Sequence, residues 1–272
     1  MIALSATLRA SSTSMTGPDS IDPVKEPPLP FFRVSQPRPR TLTGPESYLC
    51  RERCLEILET EDGQLDWIDF QDLFNEFEAV GTYKESVYFL PHAFSRIISH
   101  PKEALNMIEP VLGFASRYAK QLRADGDLDA VRSTIRRVFE VWTSKFDATP
   151  SEVDVFVEGV CVERQFDHVQ QGQLLDEALY YLIRGGAHID LAEDFVRSLA
   201  EAGGDPAKAS WFLELADCLD SGMSELPAHA PMIKLLRDEE ALVAAAATVR
   251  KELSELGKQS WYWERIFDRL RL

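Results

Sequence analysis

Apolar residues recur at helical spacing along most of the chain beyond residue 43. Two series show this clearly: Ala104, Met107, Ile108, Val111, Leu112, Ala115 and Leu122, and then Leu128, Val131, Ile135, Val138, Trp142 and Phe146. Steps of three, four and seven residues place each series on one face of an α-helix. The apolar residues from Val153 to Val162 partly alternate, but the segment follows a capping box and we predict a helix there too. The pattern predicts an all-α fold.

Threonine, proline and glycine mark where these helices begin and end. Thr43-x-x-Glu46 and Thr149-Pro150-x-Glu152 have the capping-box form, in which a threonine oxygen and a glutamate satisfy free backbone N–H groups. Pro101 and Pro206 stand where the first turn of a helix accepts proline. Glycines such as Gly126 provide stops.

These marks divide residues 43–272 into about ten to twelve helices joined by short loops. Successive helices with short connections pack as antiparallel pairs, so we expect an irregular, HEAT-like or α-superhelical array in a single domain over residues 43–272. No segment repeats at a fixed period, and a compact helical bundle is the alternative.

Residues 1–42 lack helical periodicity. Eight of the fifteen prolines fall before residue 46, and we predict a disordered tail rich in Pro, Ser and Thr for residues 1–42. Pro27-Pro28-Leu29-Pro30 resembles the proline-rich ligands of some WW domains. A plain leader, or an extended segment packed on the body, explains the same residues, and Met15 is an alternative start of the chain.

The segment from Leu55 to Tyr83 carries nine acidic side chains and no lysine or arginine. Its aromatic residues fall on one side of a predicted helix and its carboxylates on the other. The acidic side is either a solvated face or a docking surface for a basic partner. In the second case the charged contacts would be made by Asp62, Asp66, Asp69, Asp72 and Glu76.

The last thirteen residues are aromatic and locally basic. Trp263, Ile266, Phe267 and Leu270 form a predicted helical stripe that closes the last groove of the array, because a terminal unit must cover an exposed core. Alternatively, Trp261 and Tyr262 anchor a partner, since large rigid aromatic side chains are frequent interface centres.

Charge limits the classes of partner. The formal net charge is −16. Residues 1–45 hold five basic and three acidic groups, or +2, so the remaining residues carry −18. Such a body repels phosphate backbones, and we expect no direct nucleic-acid binding.

No run reaches the ~20 apolar residues of a membrane span, and four scattered cysteines favour a reducing, cytoplasmic compartment.

Signals for catalysis and metal binding are weak. Glu61–Phe70 resembles the latter part of an EF-hand calcium loop with Gly63 at its sixth position, but the leading carboxylate is missing. The five histidines are dispersed, and the chain has no HExxH, GxxxxGK[ST], GxGxxG or GxSxG motif. We therefore assign no catalytic residue, cofactor or metal from the sequence. Pairs of reactive groups brought together from distant positions stay open.

The sequence favours a non-catalytic, acidic, helical protein that docks a basic protein, as an immunity or adaptor-type protein does. The first alternative is an enzyme or small-ligand-binding protein with a pocket between helix pairs, where Tyr88, His92 and Arg96 meet around a kink at Pro91. The second alternative is a degenerate EF-hand-like, calcium-responsive module. The partner's identity and the oligomeric state are open.

Overall fold

A computed structural model describes residues 32–43, 50–75, 81–148, 152–157, 160–166, 171–222, 224, 226 and 229–272. Thirteen α-helices are found in this part of the chain, which confirms the predicted all-α fold. They are α1 Cys50–Glu59, α2 Trp67–Phe74, α3 Tyr83–Ser86, α4 Leu90–Ser99, α5 Pro101–Arg117, α6 Ala119–Asp125, α7 Leu128–Trp142, α8 Gln171–Arg184, α9 Ile189–Ala200, α10 Pro206–Asp220, α11 Ala230–Leu236, α12 Glu239–Glu255 and α13 Trp261–Leu270.

Several helix boundaries follow from the residues that mark them. α5 begins at Pro101 and α10 at Pro206, and the side chain of Asp205 accepts the N–H groups of Ala207 and Lys208 at 3.0 and 3.3 Å. α6 ends at Gly126, whose φ of 83° is the left-handed conformation that glycine adopts without a Cβ clash. These starts and this stop agree with the sequence-based prediction.

One segment departs from it. Glu152–Val157 (β1) and Val160–Phe166 (β2) form a two-stranded antiparallel hairpin, with Glu152 opposite Phe166 and Val157 opposite Val160. The helix predicted for Val153 to Val162 is therefore wrong. The alternating valines were the better signal, because β-branched residues at a spacing of two favour a pleated strand. The capping threonine that suggested a helix, Thr149, lies outside the described residues.

Two helices occupy the centre of the molecule. α5 packs against α2, α4 and α8, and α10 packs against α8, α9, α12 and α13. Every residue from Ala209 to Cys218 is buried, so α10 is covered all round. In a solenoid each repeat contacts only its neighbours. The described contacts join helices that are near one another in the sequence, such as α2 with α5, α5 with α8, α8 with α10 and α10 with α12. This packing agrees with the predicted array of packed helices.

Residues 32–42, here called the strap, form neither helix nor strand and bend at Ser35, Gln36 and Arg40. The ring of Phe32 lies 6.4 Å from that of Phe94, and the N–H and hydroxyl of Ser35 donate to Asp127 Oδ2 at 3.1 and 3.2 Å. Arg38 donates to the carbonyl of Thr60 at 2.5 Å. The predicted disordered tail is corrected for these residues, which are held by contacts from distant parts of the chain. Residues 1–31 lie outside the described part.

Candidate functional site

Arg53 covers the acidic side of α2. Its guanidinium nitrogens lie 2.6 Å from Asp69 Oδ1 and 2.5 Å from Asp72 Oδ2, and it reaches Glu56 Oε2 at 3.0 Å. Arg53 belongs to α1 and lies two residues before the acidic segment that begins at Leu55. The premise that Asp69 and Asp72 are left without a cation is therefore wrong. A basic partner would have to displace an arginine of the same chain.

The neighbouring carboxylates are engaged as well. Asp66 caps α2 by accepting the N–H groups of Ile68 and Asp69 at 2.8 and 3.1 Å, and Asp69 in return accepts the N–H of Asp66 at 2.7 Å. Asp69 is only 7% exposed, and burial raises its pKa in spite of Arg53. These carboxylates stabilise the first turn of a helix. Glu76 lies outside the described residues.

The segment that resembles an EF-hand is built as a turn and a helix start. Asp62–Gln64 forms a short 3₁₀ turn, and α2 begins after Asp66. Within the described ranges, no group of three or more His, Cys, Asp or Glu side chains is arranged to hold a metal ion. No helix described there has both the length and the apolar character required to cross a bilayer.

The two aromatic residues predicted to anchor a partner differ in environment. Trp261 is 47% exposed, and the guanidinium of Arg265 lies 5.2 Å from its ring centre. Tyr262 is 5% exposed and is hydrogen-bonded to Glu214 of α10. The prediction that Tyr262 is a surface anchor is therefore wrong, because Tyr262 is a core residue. Trp263, Ile266 and Phe267 are also buried, as the predicted apolar stripe requires.

Polar side chains from three parts of the chain meet at a cavity beneath the strap. This strap cavity has a volume of about 540 Å³ and is lined by strap residues 32–37 together with Asp62, Tyr88, Pro91 and His92. The Tyr88 hydroxyl donates to Asp62 Oδ2 at 2.6 Å, and His92 Nε2 lies 3.6 Å from the same oxygen. Asp62 from the acidic segment thus joins Tyr88 and His92, which the sequence placed together.

The strap cavity combines two groups of shifted pKa with two arginines in or next to its lining. Burial, reinforced by the hydrogen bond to Asp62, raises the pKa of Tyr88 to about 12, and burial lowers the pKa of His92. At neutral pH the phenol is therefore protonated and the imidazole is neutral. Arg38 Nε lies 3.4 Å from Asp62 Oδ1. Arg33 is the cation in the lining, and Arg38 lies next to the lining through its contact with Asp62.

Arg96, the third residue of the pocket predicted from the sequence, does not line the strap cavity; it lines a smaller cavity of about 40 Å³ together with Asp62 and His92. Its guanidinium donates to both carboxylate oxygens of Glu103 at 2.7 and 2.9 Å, and to the carbonyl of Leu65 at 3.3 Å. The helical path is indeed interrupted before Pro91, with a 3₁₀ turn at Val87–Phe89 ahead of α4. That interruption brings Tyr88 and His92 to the cavity and leaves Arg96 in an internal ion pair.

Comparison of the chain with protein-family models, with curated proteins and with solved structures found no match.

A second polar arrangement, which the sequence analysis missed, is buried where α8, α10 and α13 meet. Glu214 Oε2 accepts the N–H of Gly172 at 2.9 Å, and the carboxyl group is also hydrogen-bonded to Tyr262. Burial is the main cause that raises the pKa of Glu214 to about 8, with a smaller contribution from Asp217. Glu214 is therefore a neutral carboxylic acid at pH 7. The available signal was a lone glutamate in the apolar run from Trp211 to Ala216.

We expect Arg53→Gln to destabilise the fold. The change removes the cation from Asp69, which stays buried, so a loss of about 1–3 kcal/mol in the free energy of unfolding follows from the broken charged hydrogen bonds. Urea unfolding monitored by circular dichroism measures it. Arg51→Gln is the matched control, because Arg51 is exposed on the same helix, and it should change stability by less than about 0.5 kcal/mol. Equal effects of the two changes would contradict the role given to Arg53.

We expect Glu214→Gln to remove a loss of stability at high pH. The carboxyl titrates near 4.5 when unfolded and near 8 when buried, so its favourable contribution is complete below the lower value and is lost as pH rises towards the higher one. Relative to wild type, the variant should gain up to about 5 kcal/mol at about pH 9 and little at about pH 4.5.

Urea unfolding across this pH range provides the measurement, and Glu264→Gln on the exposed side of α13 is the control. If the stabilities of wild type and Glu214→Gln run parallel from low to high pH, Glu214 does not titrate as described.

Proposed function

We propose that the protein binds a small organic anion in the strap cavity. The proposal is carried by one observation: a cavity in which the exposed Arg33 lies beside a phenol, an imidazole and a carboxylate that is already paired with Arg38, on a chain whose net charge is −16. Pockets for small molecules typically combine apolar walls with a few convergent polar groups whose pKa values are shifted.

The lining residues indicate what the ligand looks like. Phe32, Val34 and Pro91 provide apolar surface for a carbon skeleton. Arg33 is exposed at the cavity and makes no ion pair within the described residues, so it is available to a carboxylate. The volume of about 540 Å³ falls in the ~300–1,000 Å³ range of ligand pockets.

The polar groups serve binding in this proposal. Tyr88 is protonated at neutral pH, and its hydroxyl donates a hydrogen bond to Asp62. His92 lies beside them with an uncharged ring. The ring centres of Tyr88 and His92 lie 5.5 Å apart, so both polar side chains line the same part of the cavity. No catalytic step is assigned to them.

Calorimetric titration with benzoate and succinate, each against its uncharged amide analogue, tests the proposal. We expect at least one of the two anions to bind about tenfold more tightly than its amide, because the arginine contact acts only on the anion. Arg33→Gln should weaken anion binding by about tenfold. Arg40→Gln removes the same charge from an exposed strap residue outside the cavity lining and should have no effect.

Failure of both anions to bind, or equal weakening by Arg33→Gln and Arg40→Gln, would contradict the proposal. In the first case the cavity has no affinity for carboxylates. In the second the effect comes from the total charge of the protein and not from the cavity.

A second candidate function rests on the net charge of −16: docking of a basic protein, in the manner of an immunity or adaptor protein. Because Asp62, Asp66, Asp69 and Asp72 contact groups of the same chain, this proposal moves the charged contact to exposed neighbours. These are Glu52, Glu59 and Glu61, on α1 and directly after it. Trp261 stays the candidate apolar anchor.

Docking of this kind should weaken steeply with ionic strength, since exposed charges are screened beyond about 8 Å at physiological salt. Pull-downs at about 0.05 M and about 0.5 M salt would measure this. Changing Glu52, Glu59 and Glu61 together to glutamine should release the partner, whereas the same change at exposed Glu201, Glu239 and Glu240 should not. Retention that is indifferent to salt and to both triple changes argues against electrostatic docking.

A further inference from the structure

Three arginines from residues 237–271, far from the strap in sequence, line one groove. The groove has a volume of about 300 Å³ and lies where α10, α11, α12 and α13 come together. Arg269 lies in the last turn of α13, and Arg237 and Arg271 directly follow α11 and α13. The three side chains come from positions up to 34 residues apart, so the fold and not the local sequence assembles them.

The charge of this groove is not balanced by its own lining. Arg269 Nε is paired with Asp217 Oδ1 at 2.5 Å. Arg237 and Arg271 are exposed and make no ion pair within the described residues, and Asp220 is the one acidic residue in the lining given for the groove. The groove therefore keeps one positive charge in excess after both carboxylates are counted.

Part of the groove lining is apolar. It contains Leu219 and Leu270, which are partly exposed, and Leu242, which is buried. An arginine at the end of a helix also interacts favourably with the helix dipole. That effect explains Arg237 or Arg271 singly, but it does not explain why both arginines line one groove together with leucines.

From this combination we infer that the groove binds the anionic head of a small amphiphile, such as a fatty carboxylate. The head group contacts Arg237 and Arg271 through charge-assisted hydrogen bonds, and the acyl chain covers the exposed surface of Leu219 and Leu270. The inference is independent of the strap cavity, which is formed by other residues at the other end of the chain.

Calorimetric titration of the full chain with monomeric octanoate tests this inference, with octanol and acetate as the two controls. Octanol has the chain without the charge, and acetate has the charge without the chain. We expect octanoate to bind at least about tenfold more tightly than either, because only octanoate uses both the arginines and the leucines.

Variants then locate the bound octanoate. Arg237→Gln and Arg271→Gln together should weaken binding by at least about tenfold. Arg136→Gln, an exposed arginine of α7 that lines none of the described cavities, should leave it unchanged, and so should Arg33→Gln in the strap cavity. Circular dichroism confirms that each variant is folded.

Two results would overturn the inference. The first is octanoate binding no more tightly than octanol or acetate, which would mean that the groove does not combine its two surfaces. The second is octanoate binding that survives the loss of Arg237 and Arg271 but disappears in Arg33→Gln. That result would assign the fatty carboxylate to the strap cavity and would support the proposed function alone.

Discussion

The burial of α10 on all sides is the constraint on which the rest of the structure depends. A helix that is covered all round must be surrounded by other elements, because each large side chain left in water would cost about 1.5–3 kcal/mol. α8, α9, α12 and α13 pack around it. The two carboxyl groups carried into this environment are then handled differently: Glu214 keeps its proton, and Asp217 takes Arg269 from α13 as its partner. The hydrogen bond between Glu214 and Tyr262 and the ion pair between Asp217 and Arg269 both join α13 to α10.

The features that the sequence predicted are the local ones. Helix starts at Pro101 and Pro206 and the buried aromatic residues Phe70 and Phe74 follow from spacing and capping alone. The hairpin is not predicted because two local signals disagree: the capping box favours a helix, whereas the alternation of valines in β1 favours a strand. Such a conflict is decided by the packing of the whole chain, which a short window of sequence does not contain.

Charge pairing was the hardest property to predict, for a physical reason. A carboxylate is neutralised by whichever cation the fold brings within about 4 Å, and Arg53 reaches Asp69 and Asp72 across 16 and 19 residues of sequence. Arg38 approaches Asp62 across 24 residues. Counting charges inside the acidic segment therefore overestimated its free negative charge. The same long-range assembly produces the strap cavity, in which Tyr88 and His92 were predicted to be neighbours but the strap and Asp62 were not.

The net charge of −16 acts in opposite directions on the two candidate functions. It attracts a basic protein over distances at which salt screens strongly, so association of that kind depends on low ionic strength. It repels a small anion over the same distances, and salt screens that repulsion too. The proposed contact between the anion and Arg33 is direct, so salt screens it less than it screens charges separated by more than about 8 Å. Anion binding in the strap cavity should therefore depend far less on salt than protein docking does. The sign and steepness of the salt effect are set by where the opposing charge lies, and they distinguish a ligand inside the cavity from a protein on the surface.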